Sequence, residues 1–231
     1  MVGVETQGID RRPKLINEVN GIARGLGGEF TTLTFVEGSI ESAPNNLFEH
    51  DRIPDGESTL DILIALHACD TATDDALWFA IARNVDIIVT APCCQHELRP
   101  QIDKHAAANP DQPLSNILRH AIYRERATET VTDAMRAILL EIAGYETNVF
   151  EFVGGEHTAK NVMITATKIK NRKTKDKKWL QARRQRLIDL AELYGIKYQR
   201  LAMLMEESIS MGEEEVLKSV TKRHRSGMAP L

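Results

Sequence analysis

The chain has 231 residues, with 29 Lys and Arg against 33 Asp and Glu, and a formal net charge of −4. That length allows one sizeable core with a short appendage, and the composition is that of an ordinary globular protein. No apolar run reaches membrane-span length. The opening "MVGVETQGIDRRP" has no signal-like apolar region. Three cysteines, two of them neighbours, exclude a disulfide framework. The expectation is a reduced, cytoplasmic protein without membrane contact.

The predicted elements alternate along the chain. "MVGVE" is apolar and reads as a first strand. The segment after it carries helix signals at both ends: Asp10 as a cap, Pro13 in the first turn, Gly27 and Gly28 as the stop. Leu15, Val19, Ile22 and Leu26 share one predicted face. "TTLTFVEGS" is a second strand, and residues 41–58 are a polar loop. "LDILIAL" (60–66) reads as a strand buried on both faces. A helix follows over 71–84, with Thr71 or Thr73 near its cap, then another buried strand over 85–91. Residues 94–109 read as helix and loop, and 113–145 as one long helix ending at Gly144.

"ETNVFEFVGG" and "KNVMITATKIK" are two β runs whose short connection permits only an antiparallel pair. Two amphipathic helical segments close the chain. The fold class is therefore α/β: a doubly wound, Rossmann-like, mostly parallel sheet closed by an antiparallel hairpin. The expected domains are a core over 1–170 and a basic, helical C-terminal extension over 171–231.

In open α/β sheets, ligands bind beyond the carboxyl ends of the strands. Glu5 follows the first predicted strand, where an acid can accept hydrogen bonds from both hydroxyls of a ribose. Gly38, Ser39 and Ile40 follow the second, and could present a backbone amide and a small hydroxyl to an adenine edge. His67, Ala68, Cys69 and Asp70 follow the third; Pro92, Cys93, Cys94, Gln95 and His96 follow the fourth. The hairpin tip adds Glu156, His157 and Thr158.

Cys69, Cys93, Cys94, His67 and His96 supply enough donor atoms for zinc. Two features argue against it: neighbouring side chains on a strand diverge, and the Cys-x-x-Cys spacing is missing. That spacing is also what a redox pair favours. The favoured reading is a pocket wall of small, polarizable side chains, with no metal site.

Together, "LHACDTATDDAL" (66–77) and "APCCQHEL" (91–98) resemble the motifs of a class I S-adenosylmethionine-dependent methyltransferase family. "FEFVGGEHTAKNVMI" (150–164) resembles that family's closing hairpin. A related pair of motifs occurs in the eukaryotic tRNA ribose 2′-O-methyltransferases. The likeness covers roughly residues 1–170. It implies S-adenosylmethionine as cofactor, with Glu5 on its ribose, Gly38, Ser39 and Ile40 at the adenine, and His67, Ala68 and Cys69 near the methionine end.

By the same resemblance, Pro92, Cys93, Cys94, Gln95 and His96 would face the methyl group and its acceptor. Arg124, His157 and Thr158 would be further substrate-side residues. Methyl transfer is an in-line displacement that needs alignment and, for an oxygen or nitrogen acceptor, a base; Asp70, His67 and His96 are the candidates. The family's first strand and glycine-rich loop do not precede "MVGVE", so the core is expected to lack its first strand, with that part encoded upstream.

Lys168 to Arg186 holds ten Lys or Arg and one Asp. Such a face either is simply solvated or contacts phosphates, and RNA is the expected partner if it does. Two other functions fit the same residues: a non-catalytic RNA-binding or assembly module on a degenerate core, and a nicotinamide-dependent oxidoreductase in which Glu5 would again hold a ribose.

Overall fold

The computed structural model describes residues 4–40, 60–156, 158, 160–170 and 176–210. The chain divides into two compact units, Met1–Thr59 and Leu60–Leu231.

The first unit is a single β-α-β turn of chain. Strand β1 (Thr6–Asp10) leads into helix α1 (Pro13–Leu26), a 3-10 turn (Gly28–Thr32) and strand β2 (Leu33–Glu37). The strands pair in parallel, from Thr6 opposite Leu33 to Asp10 opposite Glu37. The first strand therefore lies downstream of the expected "MVGVE". Glu5 precedes β1, and Asp10 is the acid at its C-terminal end. Apolar content drew the expectation onto the wrong residues. Packing explains the shift: the ring of Phe35 lies against Gly8, where any Cβ would collide with it.

Helix α1 starts as expected at Pro13 and stops at Gly27, whose φ is 60°. Its N-cap is Arg12 rather than Asp10; the Asp10 carboxylate instead accepts from the Arg12 amide at 2.9 Å. The buried face also differs from the expected one. Ile16 and Ala23 are buried, while Ile22 and Leu26 are exposed. Between them, Asn20 docks on β2, donating to the Phe35 carbonyl and accepting from the Phe35 amide, both at 2.8 Å. An amide side chain thus occupies backbone groups that a strand edge would otherwise leave open.

The second unit opens with strand β3 (Ile62–Leu66), helix α2 (Thr71–Ala82) and strand β4 (Ile87–Ala91). Helices α3 (Arg99–Ala108), α4 (Pro113–Leu118) and α5 (Ala121–Ile142) follow. Strands β5 (Tyr145–Glu151) and β6 (Val162–Lys168), then helices α6 (Lys177–Tyr194) and α7 (Arg200–Leu204), complete it. The sheet order is β3-β4-β6-β5. β3 and β4 run parallel, whereas β6 is antiparallel to both β4 and β5.

The closing hairpin is as expected. The mostly parallel sheet is not: among the described residues, two strand pairings are parallel and two antiparallel. Among the described residues β3 is an edge strand of its sheet, and one of its faces is open rather than both being buried. Its side chains alternate, and Ile62, Ile64 and Leu66 are exposed.

The core of this unit forms where α2 and α5 lie on the sheet, around Leu77, Ile88, Met135, Leu139, Leu140 and Ile164. The expected long helix over 113–145 is broken: His120 is extended, with φ −91° and ψ 122°, and separates α4 from α5. The break lets α4 fold back beside α3 and α5, where Leu118 is buried. The described part of the C-terminal segment packs within this unit. α6 lies on α5, and α7 lies on α2.

Candidate functional site

Because β3 and β4 are adjacent and parallel, with Leu66 opposite Ala91, their two following turns leave the sheet side by side. The His67 amide donates to the Ala91 carbonyl at 3.1 Å, and the Asp70 amide to the Cys94 carbonyl at 3.1 Å. Asp70 also reaches across with its side chain. One carboxylate oxygen accepts from the amides of His96, at 2.8 Å, and Glu97, at 3.0 Å. His67 and Asp70 both adopt positive φ, 57° and 50°. Non-glycine residues rarely do so, and such backbone persists where surrounding contacts over-determine it.

This arrangement brings the three thiols together. Cys69 and Cys93 lie 3.6 Å apart, Cys93 and Cys94 3.7 Å, and Cys94 and Cys69 3.9 Å. Cys69 is exposed and the other two are half-buried. Desolvation, reinforced by the neighbouring thiols, pushes the Cys93 thiol up to about 12.

Below the turns lies a buried polar hub. The Arg136 guanidinium of α5 grips Asp74 of α2 through two hydrogen bonds, at 3.1 and 2.6 Å. It also donates to Asp133, at 3.0 Å, and to the Asp70 carbonyl, at 2.8 Å. Gln95 donates to Asp133 at 3.1 Å, and Gln199 at the start of α7 donates to Asp74 at 2.6 Å. Burial alone would depress the Arg136 pKa, but the carboxylates of Asp74 and Asp133 raise it above its ordinary value. Desolvation raises Asp133, with partial relief from Arg136 and Gln95. The hub thus fixes the Asp70 backbone and the Gln95 side chain from beneath.

Glu97 stands beside it, accepting from the Arg200 amide at 3.1 Å. Burial raises its pKa to about 7 despite that hydrogen bond, with Asp74 adding repulsion.

The remaining expected residues sit as follows. Pro92 and Gln95 are buried, His67 and His96 exposed. Arg124 is ion-paired with Asp103 of α3 at 2.9 Å, so its charge is already engaged. Thr158 accepts from the Lys160 amide at 3.1 Å, and His157 lies outside the described residues. In the first unit, Gly38 donates its amide to the Asp10 carbonyl at 3.0 Å. There the Arg12 side chain and amide hold the half-buried Asp10 carboxyl down at about 2, so it is an anion with a fixed orientation.

Sequence reasoning missed Asp10 because it misplaced the strand by one segment. It missed the hub because only Asp133 and Arg136, three apart on α5, have a spacing that marks them as partners; nothing in the sequence ties Asp74 or Gln199 to them.

Residues 1–101 match the family model of a methyltransferase domain. The matched stretch runs from β1 into α3 and includes both turns. It supports a methyltransferase. No curated protein and no solved structure matches the chain.

Proposed function

We propose that this protein is an S-adenosylmethionine-dependent methyltransferase in which the turns after β3 and β4 handle the methyl end of the cofactor and its acceptor. The observation that carries the reading is the methyltransferase-domain match over residues 1–101, a stretch that includes both turns. The parallel β3-α2-β4 arrangement supports it, since it delivers two polar, sulfur-bearing turns to the carboxyl end of adjacent strands.

The proposed roles rest on the motif resemblance and on each residue's place at the end of its own strand. Asp10, not Glu5, is the acid at a strand end, so Asp10 is the residue proposed to accept from the ribose hydroxyls. Gly38, Ser39 and Ile40 keep their assignment to the adenine. His67, Ala68 and the backbone of Cys69 take the methionine end. S-adenosylmethionine supplies a methyl already activated by a positive sulfur, so the chain's task is alignment. Asp70 serves that task through its hydrogen bonds to the His96 and Glu97 amides, which fix one turn against the other. His67 and His96 have exposed rings and are the proposed proton acceptors for an oxygen or nitrogen nucleophile.

RNA is the proposed acceptor. Lys177, Lys178 and Arg186 of α6 are exposed, which suits phosphate contact. Arg183 and Arg184 contribute less, because they pair with Glu141 and Glu207.

Calorimetric titration of the full-length protein with S-adenosylhomocysteine tests the cofactor. Micromolar binding is expected. Absence of binding, together with uptake of NADH, would replace the reading by the oxidoreductase one. Absence of both, with salt-dependent RNA binding, would leave a non-catalytic module.

A further inference from the structure

The expectation from sequence rested on two objections to metal binding at the cysteines. The first was that neighbouring side chains diverge. That holds inside a strand, where side chains alternate between faces, but β4 ends at Ala91 and residues 92–96 are irregular. Off the strand, Cys93 and Cys94 both turn toward Cys69. The second was the missing Cys-x-x-Cys spacing. Here the third sulfur comes from the turn after another strand, so spacing along one segment is not the relevant test.

The sulfur triangle has its own metric. Zinc–thiolate bonds of about 2.3 Å in a tetrahedral site place the sulfurs about 3.75 Å apart. The three separations are 3.6, 3.7 and 3.9 Å. Three nearly equal edges around that value are the base of a tetrahedron. We propose that Cys69, Cys93 and Cys94 bind a single zinc-class ion as three thiolates, with the fourth position open to an exogenous donor.

The donor set selects the class of ion. Three sulfurs suit a soft or borderline d10 cation and exclude magnesium and calcium, which take oxygen. The fourth position is open because no histidine or carboxylate joins the three sulfurs among the described residues. Cys69 is exposed, so the ion and a fourth donor can arrive from solvent. Three protein ligands with a free position is the arrangement of zinc sites that take water or a substrate atom. On binding, each thiol proton passes to solvent as its sulfur–metal bond forms, and the site carries one net negative charge.

The scaffold is suited to hold this geometry. Asp70 ties the two cysteine-bearing turns together through its amide, which meets the Cys94 carbonyl, and through its carboxylate. Arg136 fixes Asp70 from below. The sulfurs therefore sit on backbone pinned by groups that are not themselves ligands, as outer-shell partners do in metal sites.

The test does not depend on the methyltransferase reading, because it needs neither cofactor nor turnover. The full-length protein, reduced and stripped with chelator, is titrated with Co2+ as a spectroscopic probe. The expected result is a thiolate-to-cobalt charge-transfer band with visible bands of tetrahedral cobalt, saturating at one ion per chain and bleached by Zn2+. Cys69→Ser and Cys93→Ser are each expected to weaken binding by more than the roughly tenfold cost of disturbing an outer-shell partner. A folded wild-type protein, checked by circular dichroism, that develops no charge-transfer band would overturn the proposal. So would a band that survives unchanged in Cys93→Ser. If the serine variants fail to fold, the wild-type titration decides alone.

Discussion

Arg136 of α5 donates a hydrogen bond across 2.8 Å to the carbonyl of Asp70, a residue whose amide and carboxylate are already committed to the turn after β4. The same guanidinium neutralises Asp74 and Asp133 in a site without water access. One helix side chain therefore holds the candidate site in register and keeps two buried acids paired.

Arg136→Met keeps much of the volume and removes the charge. It leaves Asp74 and Asp133 buried without their cation, and breaking such a pair costs about 3–5 kcal/mol. Urea unfolding is the measurement. A loss below about 1 kcal/mol would mean the hub behaves like a surface ion pair.

Glu97 makes stability fall with rising pH. Its folded pKa is about 7 against an ordinary 4.5, so the native state holds a proton that the unfolded chain releases first. Between those two values the native form binds more protons, and the stability linked to that proton is lost as pH rises through about 7. Glu97→Gln should remove this slope and raise stability at pH 8 by on the order of 2 kcal/mol. Denaturant midpoints at pH 4 and pH 8, either side of both pKa values, check it: the two proteins should differ at the higher pH and agree at the lower.

Gly195 caps α6 at a φ of 68°, and a Cβ there would run into the ring of His105. Gly195→Ala combines left-handed strain with overpacking, about 2–4 kcal/mol together. Thermal unfolding reads the loss. His105→Ala should restore only a small part of it, because it removes the ring and leaves both the contact with the Cβ of residue 105 and the strain.

Asp10→Asn should weaken S-adenosylhomocysteine binding roughly ten- to a hundredfold, the effect of losing a charged hydrogen-bond partner. Glu5→Gln, one residue before the strand begins, should leave it unchanged. Calorimetry on both variants separates the two acids, and the reverse pattern would return the ribose role to Glu5.

Much of the architecture was legible in the sequence where the signal was local. Pro13 and Gly27 mark the ends of α1, and the short 152–161 connection produces the antiparallel hairpin. The strand-end turns carrying His67 to Asp70 and Pro92 to His96 were also readable, because apolar runs ended there. What failed depended on contacts distant in sequence. β1 lies over Thr6–Asp10 because Gly8 makes room for Phe35, a partner on another strand. The helix over 113–145 breaks at His120 with no proline or glycine at the break to mark it. The sulfur triangle needed the parallel register of β3 and β4, which no motif spacing contains.

The turn at His67 and Asp70 also limits what protein engineering can do here. Both positions hold backbone angles that side chains branched at Cβ resist. A combinatorial library spanning residues 67–70 should therefore yield folded clones mainly with glycine, asparagine, aspartate or histidine at the two ends. The inner pair, Ala68 and Cys69, carries no such backbone constraint, so exchange of Cys69 is limited by its thiol chemistry instead.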